Sequence, residues 1–309
     1  CRDETHEFIA GWVVSEPEGT ACFDDPAPYP AGIKTMLQAV PNQFDYRLNG
    51  QKFWPSSQAG WDGKGADLNT LVVRVTREGA PNNLACCVIP RGAPGVTYNS
   101  LIEKYGQRSN QNGLSTYEDV KVPSADVFAW GDGDLVISKA FTWSGPVAGI
   151  AAVGATRTMY EAALEFAKTW SGGGAKPIIN HQAVGYHLAD VAMEIEAARY
   201  LCWKSAHYLD SWDSEGQAFG AFAKVWATEA MHRMAFKCMQ VVGVNAIDKR
   251  QPFDRLYREV STLPLYDAGN MGMQRRKVWG VMKHPSFDPQ AFVMNKPVHF
   301  VKEMEGAGF

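Results

Sequence analysis

The spacing of hydrophobic residues in this chain changes once, near Gly131-Asp132-Gly133-Asp134. That change limits what each side can build. Before it, apolar residues come in short runs rich in β-branched side chains. Thr70-Leu71-Val72-Val73-Arg74-Val75 and Leu84-Ala85-Cys86-Cys87-Val88-Ile89 have strand length. Prolines punctuate this half at 26, 28, 30, 41, 81, 90 and 94. Leu48-Asn49-Gly50-Gln51, between Tyr46 and Phe53, predicts a hairpin turn from its Asn-Gly pair. Residues 1–134 are therefore expected to form an antiparallel β-barrel or sandwich.

After the change, helical spacing takes over. Small and apolar residues dominate from Ala140 to about Lys168. Leu188, Val191, Ala192, Ile195 and Ala198 recur at i, i+3, i+4 and i+7, as do Phe222, Val225, Trp226, Glu229, Ala230 and Met234. A fourth helix is expected from near Asn270 to Met282, stopped by His284-Pro285. Four such helices predict an antiparallel four-helix bundle over residues 135–309, and so an α+β chain of two domains.

Bulk chemistry narrows the function. A net charge of −3 suggests neither a nucleic-acid nor an anionic-membrane partner. No apolar run of about 18 residues and no signal peptide is apparent, so no membrane span is expected. Cys1, Cys22, Cys86, Cys87, Cys202 and Cys238 include no CxxC pair, and no His cluster has zinc spacing. They read as reduced, mostly buried thiols of an intracellular, cytoplasmic protein. Adjacent Cys86 and Cys87 in a strand point to opposite faces, which favours packing over redox chemistry. Cys1-Arg2-Asp3-Glu4 does not look like a natural start, so a fragment or a truncated gene is expected.

Five local motifs in order carry a family resemblance. They are Ser15-Glu16-Pro17-Glu18-Gly19-Thr20, Leu48-Asn49-Gly50-Gln51-Lys52-Phe53-Trp54, Tyr117-Glu118-Asp119-Val120-Lys121-Val122-Pro123, His181-Gln182 with Leu188-Ala189-Asp190, and Tyr266-Asp267-Ala268-Gly269-Asn270. Together the chain resembles the acyl-CoA dehydrogenase superfamily over its middle β domain and C-terminal helical domain. The N-terminal helical domain of that family has no counterpart in these residues. Trp54-Pro55-Ser56, the run Gly60-Trp61-Asp62-Gly63-Lys64-Gly65-Ala66-Asp67, and Asp rather than Glu at 267 move the resemblance toward the nitroalkane oxidases.

The resemblance implies FAD as cofactor, and a small carbon acid with molecular oxygen as substrates. The products are then an aldehyde or ketone, nitrite and hydrogen peroxide, and the assembly a homotetramer. Asp267 becomes the base that takes a proton next to the nitro group, and Ser144 its hydroxyl partner. Without the resemblance, Asp267 reads first as the N-cap of the helix starting near Gly269-Asn270, a role that can coexist with that of a base. Gln274 stands where the nitroalkane oxidases carry an Arg that helps place the base, and Arg275 and Arg276 follow it. On the flavin side the resemblance implies Val13, Val14, Ser15, Thr20, Trp54, Pro55 and Ser56 in one domain. In the other it implies Leu265, Tyr266, Ala268 and Gly269. His181, Gln182, Gln240, Val241, Val242 and Gly243 match segments that contact the neighbouring subunit's cofactor. The Arg that family members place before His-Gln is missing, and Gly172-Gly173-Gly174 occupies that region. Gly145 stands where some acyl-CoA dehydrogenases have an Arg that contacts the CoA ester, which weighs against an acyl thioester substrate. A thioester dehydrogenase and a truncated, non-catalytic relative are the alternatives.

Overall fold

A computed structural model describes residues 7–23, 31–41, 45–76, 84–212, 217–285 and 287–290. Contacts divide it into two compact units. One extends to Lys104 and includes Arg108–Ser138; the other holds Tyr105–Gln107 and continues from Lys139.

In the first unit the strands are β1 (Ala10–Val13), β2 (Met36–Ala39), β3 (Asp45–Ser56), β4 (Leu68–Thr76), β5 (Leu84–Pro90), β6 (Val96–Leu101), β7 (Asn112–Pro123) and β8 (Val127–Phe128). They form one sheet in the order β6-β7-β3-β2-β4-β5-β8, with β1 added to β4. Pairing is antiparallel except that β1 and β2 both run parallel to β4. Alternation supplies the core: Leu71, Val73 and Val75 of β4 meet Ala85, Cys87 and Ile89 of β5 in one buried cluster. Cys86 is buried outside that cluster, as alternate faces require.

The expected Asn-Gly hairpin is not formed. β3 runs straight through Asn49 and Gly50, and its register against β7 slips between Leu48 and Gly50. This is a β-bulge. Gly50 has φ 142, and a Cβ there would lie 2.7 Å from Thr35 Cα. The glycine serves a close backbone approach. An Asn-Gly pair suits a turn or a bulge, and its own neighbours do not tell the two apart.

The helices are α1 (Gly133–Thr169), α2 (Gln182–Trp212), α3 (Gln217–Val242), α4 (Pro252–Thr262) and α5 (Arg275–Lys283). α4 adds to the four expected. Its signals were present: Pro252 at the first turn, then buried Phe253, Leu256 and Val260 at helical spacing. The expected fourth helix begins as a π-helical stretch, Gly269–Gln274, before α5. α1 is, among the described residues, long and apolar enough to cross a bilayer, although no such run was expected. Its apolarity is that of a core helix: Ala152, Val153, Met159, Ala163 and Ala167 are buried with α2 and α3 residues. Tyr105–Gln107 is tied to α4, where Arg258 Nη1 donates to the Tyr105 carbonyl at 3.2 Å and Glu259 accepts from the Gln107 amide at 2.9 Å.

Candidate active site

After α4 the chain turns sharply. Asp267 (φ 53) and Ala268 (φ 64) are consecutive non-glycine residues in the left-handed region. Each costs about 1–2 kcal/mol, less for Asp than for Ala, and persists only because its surroundings dictate it. Three side chains do so. Lys224 of α3 donates to the Leu263 carbonyl at 2.6 Å. Gln274, fully buried, donates through Nε2 to the Asp267 carbonyl at 3.3 Å and to the Phe141 carbonyl at 3.4 Å. Ser144 Oγ lies 2.8 Å from both carboxylate oxygens of Asp267. The N-cap reading of Asp267 fails, since the cap position is Ala268 and carries no side-chain cap bond.

Two glycines bring Ser144 to this place. A Cβ on Gly145 would lie 2.4 Å from the Gly220 carbonyl oxygen, and one on Gly220 would lie 2.5 Å from the Thr142 carbonyl oxygen. α1 and α3 therefore touch backbone to backbone beside Ser144, and no side chain fits at 145. Pro146 also sits in α1 and removes the amide that would have bonded the Thr142 carbonyl.

Burial pushes the Asp267 carboxyl above its ordinary 3.8, while the Ser144 hydroxyl and then the charges of Lys224 and Lys277 pull it back. Burial pushes both lysines down to about 8, against the upward pull of the Asp267 charge. Asp267 is thus a poorly hydrated carboxyl with a hydroxyl and two ammonium groups around it. That arrangement suits a base that must be ionised yet reactive near neutral pH. Neither lysine was singled out from sequence. Lys224 could have been, as the lone charge on the apolar stripe that includes Ala227 and Met231. Lys277 could have been too, one helical turn beyond Gln274. Asn270 completes the surroundings, accepting from Lys224 at 3.1 Å and donating to Thr228 and Glu229 at 3.0 and 3.1 Å.

Arg275 is engaged elsewhere. It makes a two-pronged pair with Glu229 at 2.7 and 2.9 Å, consistent with the rotation of about 100° between successive helical residues. Both line a cavity of about 580 Å³ with Phe222, Trp226, Trp279 and Met282; Asp267 is not part of it.

The other expected residues fall into two groups. In the first unit Trp54 lies two residues before the end of β3, with φ 76 and the residue 48% exposed. Asn112 bonds the Trp54 carbonyl, and Asn110 Nδ2 donates to Ser56 Oγ at 2.9 Å. Pro55 is buried at the slip in register between Phe53 and Ser56. Val13 and Val14 give their side chains to the interior, so only backbone there is available to a ligand. The carbonyls of Val14 and Ser15 are taken by Lys52 Nζ and the Phe53 amide, and Thr20 is partly exposed. In the second unit Leu265 and Tyr266 are exposed, and Ala268 and Gly269 are partly so. His181, Gln182, Gln240 and Gly243 are exposed as well. Val241 and Val242 are core residues. Gly243 has φ 66 and open space where a Cβ would be.

Comparison with known proteins fits this geometry. Residues 131–282 match the family described as acyl-CoA dehydrogenase, C-terminal domain. A nitroalkane oxidase of Podospora anserina is 32% identical over 297 residues, covering 91% of this chain and 68% of that protein. One of Fusarium oxysporum is 30% identical over 92% and 69%. The solved Podospora anserina structure superposes with a TM-score of 0.85 at 31% identity, over 91% of this chain and 69% of that one. Butyryl-CoA dehydrogenase from Megasphaera elsdenii shares the fold, with a TM-score of 0.80 at 22% identity over 90% and 68%.

Proposed function

The chain belongs to the acyl-CoA dehydrogenase family of flavin-dependent oxidoreductases, and from that premise we propose an FAD-dependent oxidase of nitroalkanes or related small carbon acids. The observation that carries this reading is the Ser144–Asp267 pair. It combines a carboxyl raised by burial with a hydroxyl at 2.8 Å from each oxygen, in a chain about 30% identical to nitroalkane oxidases.

Asp267 takes the proton from the carbon next to the nitro group, leaving negative charge on the substrate. Ser144 keeps the carboxylate ionised beforehand and fixes which way it faces. Gln274 and Lys224 hold the strained loop, so the carboxylate need not reorganise during the transfer. Gly145 supports this substrate class over an acyl thioester, because α3 leaves no room there for an ester-binding side chain.

The residues fit a flavin by what they leave available. The Trp54 ring is half-exposed on a strained residue beside the Ser56 hydroxyl, and Gly243 leaves backbone open to a phosphate. In the first unit FAD would be held by Val13–Ser15, Thr20, Trp54, Pro55 and Ser56, and in the second by Leu265, Tyr266, Ala268 and Gly269; His181, Gln182 and Gln240–Gly243 would face the cofactor of a neighbouring subunit. The chemistry FAD supplies when bound is two-electron acceptance, with molecular oxygen as the final oxidant. A homotetramer is part of the proposal. Tyr186, Met193 and Tyr200 form an exposed stripe at seven-residue spacing on α2, a surface suited to a second copy.

The test is anaerobic mixing of the FAD-reconstituted protein with nitroethane. Bleaching of the flavin, reversed by air with release of nitrite, is expected. Asp267→Asn should keep flavin bound and abolish the bleaching; unchanged reduction in that variant would sink the assignment.

A further inference from the structure

Two ammonium groups act on Asp267, and they are held differently. Lys224 is fully buried and built into the loop's scaffold, through the Leu263 carbonyl and Asn270. Its charge also stands 5.9 Å from the centre of the Tyr266 ring. Lys277 Nζ instead donates to Thr142 Oγ1 at 2.9 Å. Thr142 is two residues from Ser144 on α1. Lys277 also lies three residues beyond Gln274, one turn along the same helix face. Gln274 already reaches the Asp267 carbonyl. Lys277 is therefore fastened to the helix that supplies the hydroxyl partner and follows the residue that grips the base from behind.

The Ser144 hydroxyl replaces only part of the hydration shell that the buried carboxylate has lost; nearby positive charge makes up more of it. Among the described residues, the groups that act on Asp267 or feel its charge are Lys224 of α3, Lys277 of α5, the Ser144 hydroxyl of α1 and Tyr266 of the loop itself; behind them, Glu229 acts on Lys224, Arg276 and the Thr142 hydroxyl on Lys277, and Glu259 of α4 on Tyr266. Arg275 is turned to Glu229. Lys224 is committed to backbone that must be held whatever the state of Asp267.

We propose that Lys277, anchored to α1 through Thr142, is a positioning residue of this site, a second ammonium beside Lys224 that favours the ionised form of Asp267. This rests on Asp267 being the base, but the test reads the carboxyl itself. The downward pull of Lys277 on Asp267, and the upward pull of Asp267 on Lys277, agree with it.

The test is a pH titration of the FAD-loaded protein labelled with ¹³C in its Asp carboxyls, with the Asp267 signal identified by its loss in Asp267→Asn. In Lys277→Met the Asp267 midpoint should rise by roughly one to three pH units. Lys277→Gln, which can keep the bond to Thr142, should show the same rise and guards against a folding defect in the first variant. Lys277→Arg should keep the wild-type midpoint. An unmoved midpoint in both neutral variants overturns the proposal. So does an equal rise in Lys277→Arg, because shape and not charge would then be responsible. A protein inert to nitroalkanes that still shows the charge-dependent rise keeps this inference and sinks the functional reading. Turnover with an immobile midpoint does the reverse.

Discussion

Ser144→Ala removes one oxygen and tests how the site sets its base. The Ser144 hydroxyl is 2.8 Å from each oxygen of Asp267, but it has a single proton. The stabilisation is therefore that of one shared bond to a charged acceptor, about 1.5–3 kcal/mol. At about 1.36 kcal/mol per pH unit, the Asp267 midpoint should rise by roughly one to two units. That rise adds to the one burial already causes. The assay is the pH dependence of anaerobic flavin reduction by nitroethane. A base must be ionised to act, so the rate falls as pH drops through the Asp267 midpoint. In Ser144→Ala this acid limb should move to higher pH by that amount. A plateau lowered at all pH values with the limb unmoved would refute the reasoning. Ser144 would then only aim the carboxylate and would not tune its ionisation.

Three further outcomes follow from the same structure. Glu16 and Lys52 form a buried pair at 2.9 Å, and Lys52 also donates to the Val14 and Val72 carbonyls. Glu16→Gln strands the ammonium and should cost about 3–5 kcal/mol in urea unfolding; a loss under about 1 kcal/mol would contradict this. Burial pushes the Glu16 carboxyl up, but Lys52 and bonds from Thr35 and Lys34 outweigh it and hold it below 4.5. Its contribution is therefore complete above pH 4.5 and lost as pH falls through the lower folded value. Ala268→Gly relieves a left-handed alanine at φ 64 and should stabilise by up to about 1 kcal/mol after the glycine's own entropy; a lower thermal midpoint would count against it. Cys22 is exposed and should react at once with a thiol reagent. Cys86, pushed by burial to about 11, and Cys87, Cys202 and Cys238, pushed to about 12, should react only in denaturant. A fast phase from any of these four in the folded protein would show that the core opens.

Much of the fold was legible because backbone geometry sets hydrophobic period locally. Alternation in Leu71–Val75 and the 3.6-residue stripe through Leu188, Val191 and Ile195 each report one face of one element. Gly50 was misread for the opposite reason. Its role depends on Thr35, fifteen residues earlier, and nothing beside Asn49-Gly50 records that approach. The parallel pairing of β1 and β2 with β4 was equally hidden, since strand direction is not written in residue pattern.

The site divides along the same line. The sequence by itself singled out Asp267 as the candidate base, because it lies in a recognisable segment, and it pointed to Ser144 as its partner. It also determined that Gln274, a neutral residue, follows Asp267 by seven. Only the tertiary structure decided the state of that carboxylate. Ser144 is 123 residues away in the chain, Lys224 arrives on another helix, and Lys277 arrives on a third and is tied to the helix of Ser144 through Thr142. A carboxyl's charge depends on what replaces its water, and those replacements are assembled from distant elements by packing. The Gly145–Gly220 contact makes the same point, because only the approach of α1 to α3 shows that no larger residue fits there.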